Sequence, residues 1–295
     1  MTAEAGDFKF GSVGAFDDSW KALPASERYH FAAGEPAHQV QFAFQNHWRV
    51  FQKVMGHTTG GRAIELGCGR GSMAAFFAKA GFETHLLDTS ASALDCARRN
   101  FEADGLTGHY HQADALATPF PDNQFDVAVS IGLLEHFEDI APPLEEQIRI
   151  LKPGGVFLGY VVPERPVSVQ TVGAPLNAAL RLWDRYTSSE TRPAAPPKQE
   201  LYRNTFNSTA YLDVLDRLAV KNRGAFGMFP VPLVSHSWKF PFTAMSPAAE
   251  KRLMATWRTL LAARPGKDAA SPDPLRDPWT CAEPWGLAFL VWARK

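Results

Sequence analysis

Three cysteines, Cys68, Cys96 and Cys281, are all that the 295 residues contain. Their odd number and wide scatter fit neither a disulfide framework nor a metal-ligand set, so a reducing cytoplasm is expected and a metal site is not. Long apolar runs are also missing: no stretch reaches the roughly 18 residues that a membrane span requires. The opening Met1 to Asp7 has neither a basic start nor an apolar run behind it, which speaks against a secretory leader. Excess charge of either sign is absent, with 30 Lys and Arg against 31 Asp and Glu. A neutral balance removes the electrostatic argument for a nucleic-acid partner. No internal repeat or low-complexity tract is found. The chain is 45% hydrophobic and 21% charged, an ordinary soluble composition. It suits one domain with insertions, or one domain with a small cap.

What is present is concentrated in Ala63 to Ser72. A short apolar run ends in Glu65, glycines follow at 67, 69 and 71, and a helical segment begins near Met73. A strand feeding a glycine turn and then a helix is how doubly wound α/β proteins approach a nucleotide-like ligand, because glycine accepts positive φ and has no Cβ in the way. The dinucleotide fingerprint places its third glycine one residue later. A diphosphate also seeks free helix amides, and a carboxylate beside the loop repels it. Glu65 instead suits a ligand carrying an ammonium or sulfonium. Further segments follow in order. Glu83 to Ser90 reads as a second strand ending in Asp88, 23 residues after Glu65. Then come Gln112 to Ala115, Phe125 to Ser130, Gly132 to Phe137, and Ile150 to Gly155.

These segments resemble the class I S-adenosylmethionine (SAM) methyltransferases over roughly residues 60–164. The resemblance implies a doubly wound, mostly parallel seven-stranded sheet with helical or loop lid insertions. It implies SAM as cofactor, contacted by Glu65, Gly67, Cys68, Gly69, Gly71, Asp88, Thr89, Asp114, Ala115 and the backbone around Ile131. Asp88 would take the ribose hydroxyls, and Asp114 would meet the adenine amino group. Tyr29 in the N-terminal segment would close over the methionine end.

Strands are read near 62–66, 83–88, 108–113, 125–131 and 156–163, and helices near 36–55, 71–80, 90–104 and 142–151. Their alternation implies a parallel sheet covered on both faces. A helix capped by Asn207 or Ser208, and strands over 220–229 and 286–294, match the way the family closes its sheet. The chain therefore divides into an N-terminal segment (1–35), a core (36–164), a lid insertion (165–206), a core helix and strand (207–231), a second insertion (232–284) and a last strand (285–295). Within the second insertion, Ser246-Pro247 opens a helix with Leu253, Met254, Trp257, Leu260 and Leu261 on one face.

Methyl transfer from a sulfonium is an in-line displacement with a neutral leaving group, so the protein mainly supplies position and a dry cavity. A base is needed only if the acceptor must lose a proton. Candidates are His136 after strand four, Glu164 at the end of strand five, and His236 in the second insertion. Tyr160 reads as core, and Gly154 and Gly155 as the turn from a helix into a strand. Aromatic residues crowd the insertions: Trp183, Tyr186, Tyr202, Phe206, Phe229, Trp238, Phe240, Phe242, Trp257, Trp279 and Trp285. They suit either a cap with its own core or a closed pocket around the reacting methyl. The expected acceptor is a small molecule, with no nucleic acid and no membrane as partner. A protein or RNA methyltransferase would show an open groove instead, and a non-catalytic SAM-binding regulator would show no cavity beside the methyl. The acceptor atom and the oligomeric state are not readable.

Overall fold

The computed structural model describes residues 30–58, 60–165, 179, 202–228 and 246–295. Its centre is one sheet, built from β1 (Arg62–Leu66), β2 (Glu83–Asp88), β3 (His109–Gln112), β4 (Phe125–Ile131), β5 (Leu151–Val161), β6 (Asn222–Met228), β7 (Thr280–Cys281) and β8 (Ala288–Arg294). The order is β3-β2-β1-β4-β5-β8-β6-β7. β3, β2, β1, β4 and β5 run parallel, and β8 is inserted antiparallel between β5 and β6. The expected count of seven is thus corrected to eight. The extra strand is two residues long and pairs only with Gly227 and Met228 at the sheet's edge.

Among the described residues, six α-helices accompany the sheet: α1 (Gln39–Met55), α2 (Ser72–Lys79), α3 (Ala91–Ala103), α4 (Ala141–Ile150), α5 (Ser208–Arg217) and α6 (Pro247–Ala262). Strand alternation divides the core between two faces. Ala63, Val127, Val129, Val156 and Leu158 pack with α1, α2 and α3. Ile64, Leu66, Ala128, Phe157 and Val161 pack with α4 and α5. Parallel strands buried on both sides need such continuous apolar runs, and β4 and β5 supply them.

The helix starts follow local chemistry. Ser90 caps α3 by accepting the Ala93 N–H at 3.1 Å, and Ser246 caps α6 through Ala249. At α5 the N-cap position is Asn207, yet its side chain makes no capping bond. Glu283, 75 residues on, takes the Ser208 amide at 3.1 Å and the Ser208 hydroxyl. The α1 boundary also moves, from near residue 36 to Gln39, with His38 as its N-cap. Gly154 and Gly155 lie inside the irregular start of β5 rather than at the helix end, because α4 stops at Ile150 and β5 begins at once with Leu151. Leu260 is half exposed, so the buried stripe of α6 narrows to Glu250, Met254 and Leu261.

Candidate functional site

The sheet order reverses at β1, which pairs with β2 on one side and β4 on the other. Ligands of open α/β sheets bind beyond the strands' carboxyl ends at such a point. There the loop 67–71 leaves β1, Asp88 ends β2, and Gly132 to Phe137 leave β4.

The three loop glycines all have positive φ, +66°, +51° and +70° for Gly67, Gly69 and Gly71, but they serve different ends. A Cβ on Gly67 would stand 2.9 Å from Leu133 Cδ1, so its absence lets the loops after β1 and β4 close on one another. A Cβ on Gly71 would stand 2.8 Å from Leu86 and 3.2 Å from Ala97 and Phe101. A side chain at Gly71 would thus enter the packing between β2 and α3. At Cys68 the amide donates to Leu87 O at 3.0 Å and the thiol is buried. Burial raises that thiol above its ordinary range, with the charges of Asp88 and Glu65 adding to the effect.

Glu65 is 4% exposed, and its Oε2 accepts the Ala74 N–H at 2.7 Å. It thereby occupies an amide in the first turn of α2, where a phosphate would otherwise sit. Burial pushes its carboxyl up to about 8; the Ala74 amide opposes this and the charge of Asp88 reinforces it. Asp88 is half-buried, its Oδ2 accepting from Gly69 N and its Oδ1 from Ser90 N, both at 2.9 Å. A carboxylate of this kind is the side chain that accepts hydroxyl protons. Thr89 is exposed and its carbonyl accepts from Gln112 Nε2. Asp114 turns its own loop, accepting from Leu116 N at 2.9 Å. The stretch that holds Asp114 and buried Ala115 is pinned to α4, because Glu146 accepts the Thr118 amide at 2.7 Å. Ile131, at the end of β4, is half-buried. A cationic ligand with a diol and an amino group fits this donor and acceptor set; a diphosphate does not.

On the acceptor side, His136 is 7% exposed, and its Nδ1 lies 2.6 Å from the Tyr202 carbonyl. Burial lowers its pKa to about 4, despite the Tyr202 bond, which raises it. A base so weak and already bonded serves to hold the backbone at Tyr202. Glu164 is exposed, and its amide bonds to Asn204 O at 2.9 Å. Tyr29 and His236 lie outside the described residues.

Two residues that sequence reasoning did not select are central here. Asn204 is 2% exposed, and its Nδ2 donates to Leu134 O and Phe137 O, each at 3.1 Å. Its own amide donates to Glu135 O at 2.7 Å, so Asn204 staples the loop after β4. Glu135 is 1% exposed and its Oε2 has no partner among the described residues. Burial pushes its carboxyl up to about 7, against the charge of Arg203. The Tyr160 phenol, at the end of β5, is raised by burial and then by Glu135. His47 packs on Tyr160 with ring centroids 4.6 Å apart, and Trp279 stands 6.0 Å from His47 and 5.7 Å from Phe42. Of the insertion aromatics, Trp279 is buried in this wall, while Trp285 is 73% exposed and Phe206 lies at the surface. Trp183, Tyr186, Phe229, Trp238, Phe240 and Phe242 lie outside the described residues. A separate cavity of about 330 Å³, lined by Phe226, Lys267, Leu275 and Cys281 among others, lies at the β6–β7 edge, far from the glycine loop.

Comparison with known proteins agrees with this geometry. Residues 64–159 match the family model of a methyltransferase domain. The chain is 36% identical over 171 residues to the ubiquinone/menaquinone biosynthesis C-methyltransferase UbiE of Vibrio campbellii. This chain is therefore similar to methyltransferases. That match covers 56% of this chain and 61% of the relative. The ubiquinone biosynthesis O-methyltransferase of Methylococcus capsulatus is 37% identical over 108 residues, covering 35% of this chain and 45% of the relative. The chain thus spans about half the length of these curated relatives. A chain from the complex of the Haloferax volcanii Trm112 methyltransferase activator with a methyltransferase shares the fold, with a TM-score of 0.51. It is 16% identical, with 96% of this chain and 97% of that one covered. Among the described residues, no helix is long and apolar enough to cross a membrane.

Proposed function

We propose that this protein transfers the SAM methyl group to a small-molecule acceptor. The observation that carries the reading is the crevice at β1 and β4. There Glu65 bonds to the head of α2 and Asp88 to the glycine loop, while the buried Glu135 follows β4 and the buried Tyr160 lies at the end of β5. The bound cofactor supplies an electrophilic methyl and leaves as a neutral thioether. The chain's own work is then to bind, to orient and to keep water out. Asp88 holds hydroxyls, Asp114 stands at the adenine side, and Glu65 sets the sign of the potential at the head of α2. Glu135 receives a hydroxyl or amine proton of the acceptor, being the buried carboxyl at this end of β4 with an oxygen still unpartnered. His136 and Asn204 position the loop that carries it. The wall of His47, Tyr160 and Trp279 favours an acceptor with an aromatic or otherwise flat apolar body. Relatives that act in ubiquinone biosynthesis, one an O- and one a C-methyltransferase, support that class of acceptor and leave its atom open.

The test uses SAM labelled on the transferred methyl, added with the protein to a cell extract divided into small molecules, protein and nucleic acid. Label is expected in the small-molecule fraction, and its loss in an Asp88→Ala variant. Label in protein or RNA instead would refute the acceptor class.

A further inference from the structure

At the end of the sheet opposite the glycine loop, β2 and β3 begin with Glu83, His85, His109 and His111. The parallel register sets His85 beside His109 and Leu87 beside His111. Strand alternation therefore puts all four polar side chains on one face. His85 Nε2 lies 3.2 Å from Glu83 Oε1, and His109 Nε2 lies 3.9 Å from the same oxygen. The three donor atoms all fall within 4.8 Å of one another. His85 Nδ1 is 3.0 Å from His111 Nε2, with the two rings only 7° from parallel. The second oxygen of Glu83 is held by Arg62 Nε at 3.0 Å. The methyl-transfer reading uses none of these groups.

We propose that Glu83, His85 and His109 form a binding site for a divalent transition metal of the zinc class, with His111 as the outer partner that orients His85. Imidazole and carboxylate donors suit such a metal, and a fourth position open to water completes a tetrahedron. Tetrahedral donors about 2.1 Å from zinc stand roughly 3.4 Å apart. The Glu83–His85 gap is already close to that spacing. His109, with a side chain 58% exposed, is free to close the rest. Without a metal, His85 Nε2–H donates to Glu83; a metal taking that place leaves the His85 proton on Nδ1, where it donates to His111 Nε2. Metal-bound histidines are held through their other nitrogen in this manner. The metal would clamp the short edge strand β3 to β2, and the same ladder ends in the Asp88–Gln112 pair at the cofactor crevice.

The experiment takes the full chain, free of any affinity tag and stripped of metal, and titrates zinc in competition with a chromophoric chelator. One zinc per chain is expected. His109→Ala and Glu83→Gln should each weaken it at least about tenfold, and His111→Ala about 10–100-fold, as for outer-shell partners elsewhere. S-adenosylhomocysteine binding serves as the folding control and should be unchanged in His109→Ala. Magnesium at millimolar concentration should not compete. Absence of stoichiometric zinc, equal affinity in His109→Ala, or equal competition by magnesium would each overturn the proposal.

Discussion

At the residue scale, the crevice depends on carboxyl groups whose proton affinity is set by burial. Glu65, pushed up to about 8, retains its proton near neutrality until a cation arrives beside it. A ligand bearing an ammonium and a sulfonium favours the ionised form, so SAM binding should release up to one proton per chain below pH 8. Calorimetry in buffers of different ionisation heat should show that release, with affinity rising by up to about tenfold per pH unit from pH 6 to 8. A Glu65→Gln variant should lose the pH dependence. Glu135, at about 7, makes a second residue-scale prediction. The turnover rate should climb with pH through about 7 in the native protein and lie flat in Glu135→Gln. The drop in that variant should be about 10²–10⁴-fold, the range of general-base contributions. An unchanged rate in Glu135→Gln would return Glu135 to a purely structural role.

At the element scale, two junctions hold the crevice's walls. Gly71 lets α3 approach β2, and its φ of +70° adds backbone strain to any side chain placed there. Gly71→Ala should cost about 1–3 kcal/mol in urea unfolding, the cost of overpacking a filled core. Asp277 ties the second insertion to α1: it is 0% exposed, takes Arg49 through two 2.8 Å bonds, and pairs with Lys53 at 2.6 Å. Burial alone would raise its carboxyl, but the two cations and the Trp279 amide hold it below the ordinary range. Asp277→Ala leaves Lys53 buried and unpaired, so a loss of about 3 kcal/mol is expected. Loosening of Trp279 should appear as a change in its fluorescence. The helices α2 and α3 and strands β1, β2 and β4 were legible from sequence because their glycines, caps and apolar alternation are local signals. The caps and staples supplied by Glu283, Asn204 and Asp277 were not, because these bonds span 67 or more residues, as in the 228 that separate Arg49 from Asp277.

At the scale of the whole molecule, the buried groups give the fold a pH optimum. Glu65 and Glu135 bind protons more tightly folded than unfolded, so their stabilising contribution is complete below about pH 4.5 and is lost as pH rises through about 7 and 8. His30, His47 and His136 behave oppositely, being lowered by burial, to about 3 for His47 and about 4 for His136. Their contribution is complete above about pH 6.5 and is lost as pH falls through their folded values. The cofactor-free protein should therefore be most stable near pH 6.5. Thermal melts should decline on both sides, and a Glu65→Gln, Glu135→Gln double variant should remain flat from pH 6.5 to 8.

The sequence by itself determined the fold class, the glycine loop, and the order of Glu65, Asp88 and Asp114 on which the proposed cofactor rests. Those features are fixed by the chemistry of neighbouring residues: positive φ at glycine, period-two apolar strands, and an acid at a strand's end. Tertiary structure alone decided what surrounds each of them. It turned Gly71 and Cys68 toward packing, bonded His136 to a carbonyl, and buried Glu135 with an oxygen unpartnered. It also brought three histidines and a glutamate together at the far edge of the sheet. Whether a side chain is free to act depends on what fills its hydrogen bonds and shields it from water, and those neighbours are remote in the chain.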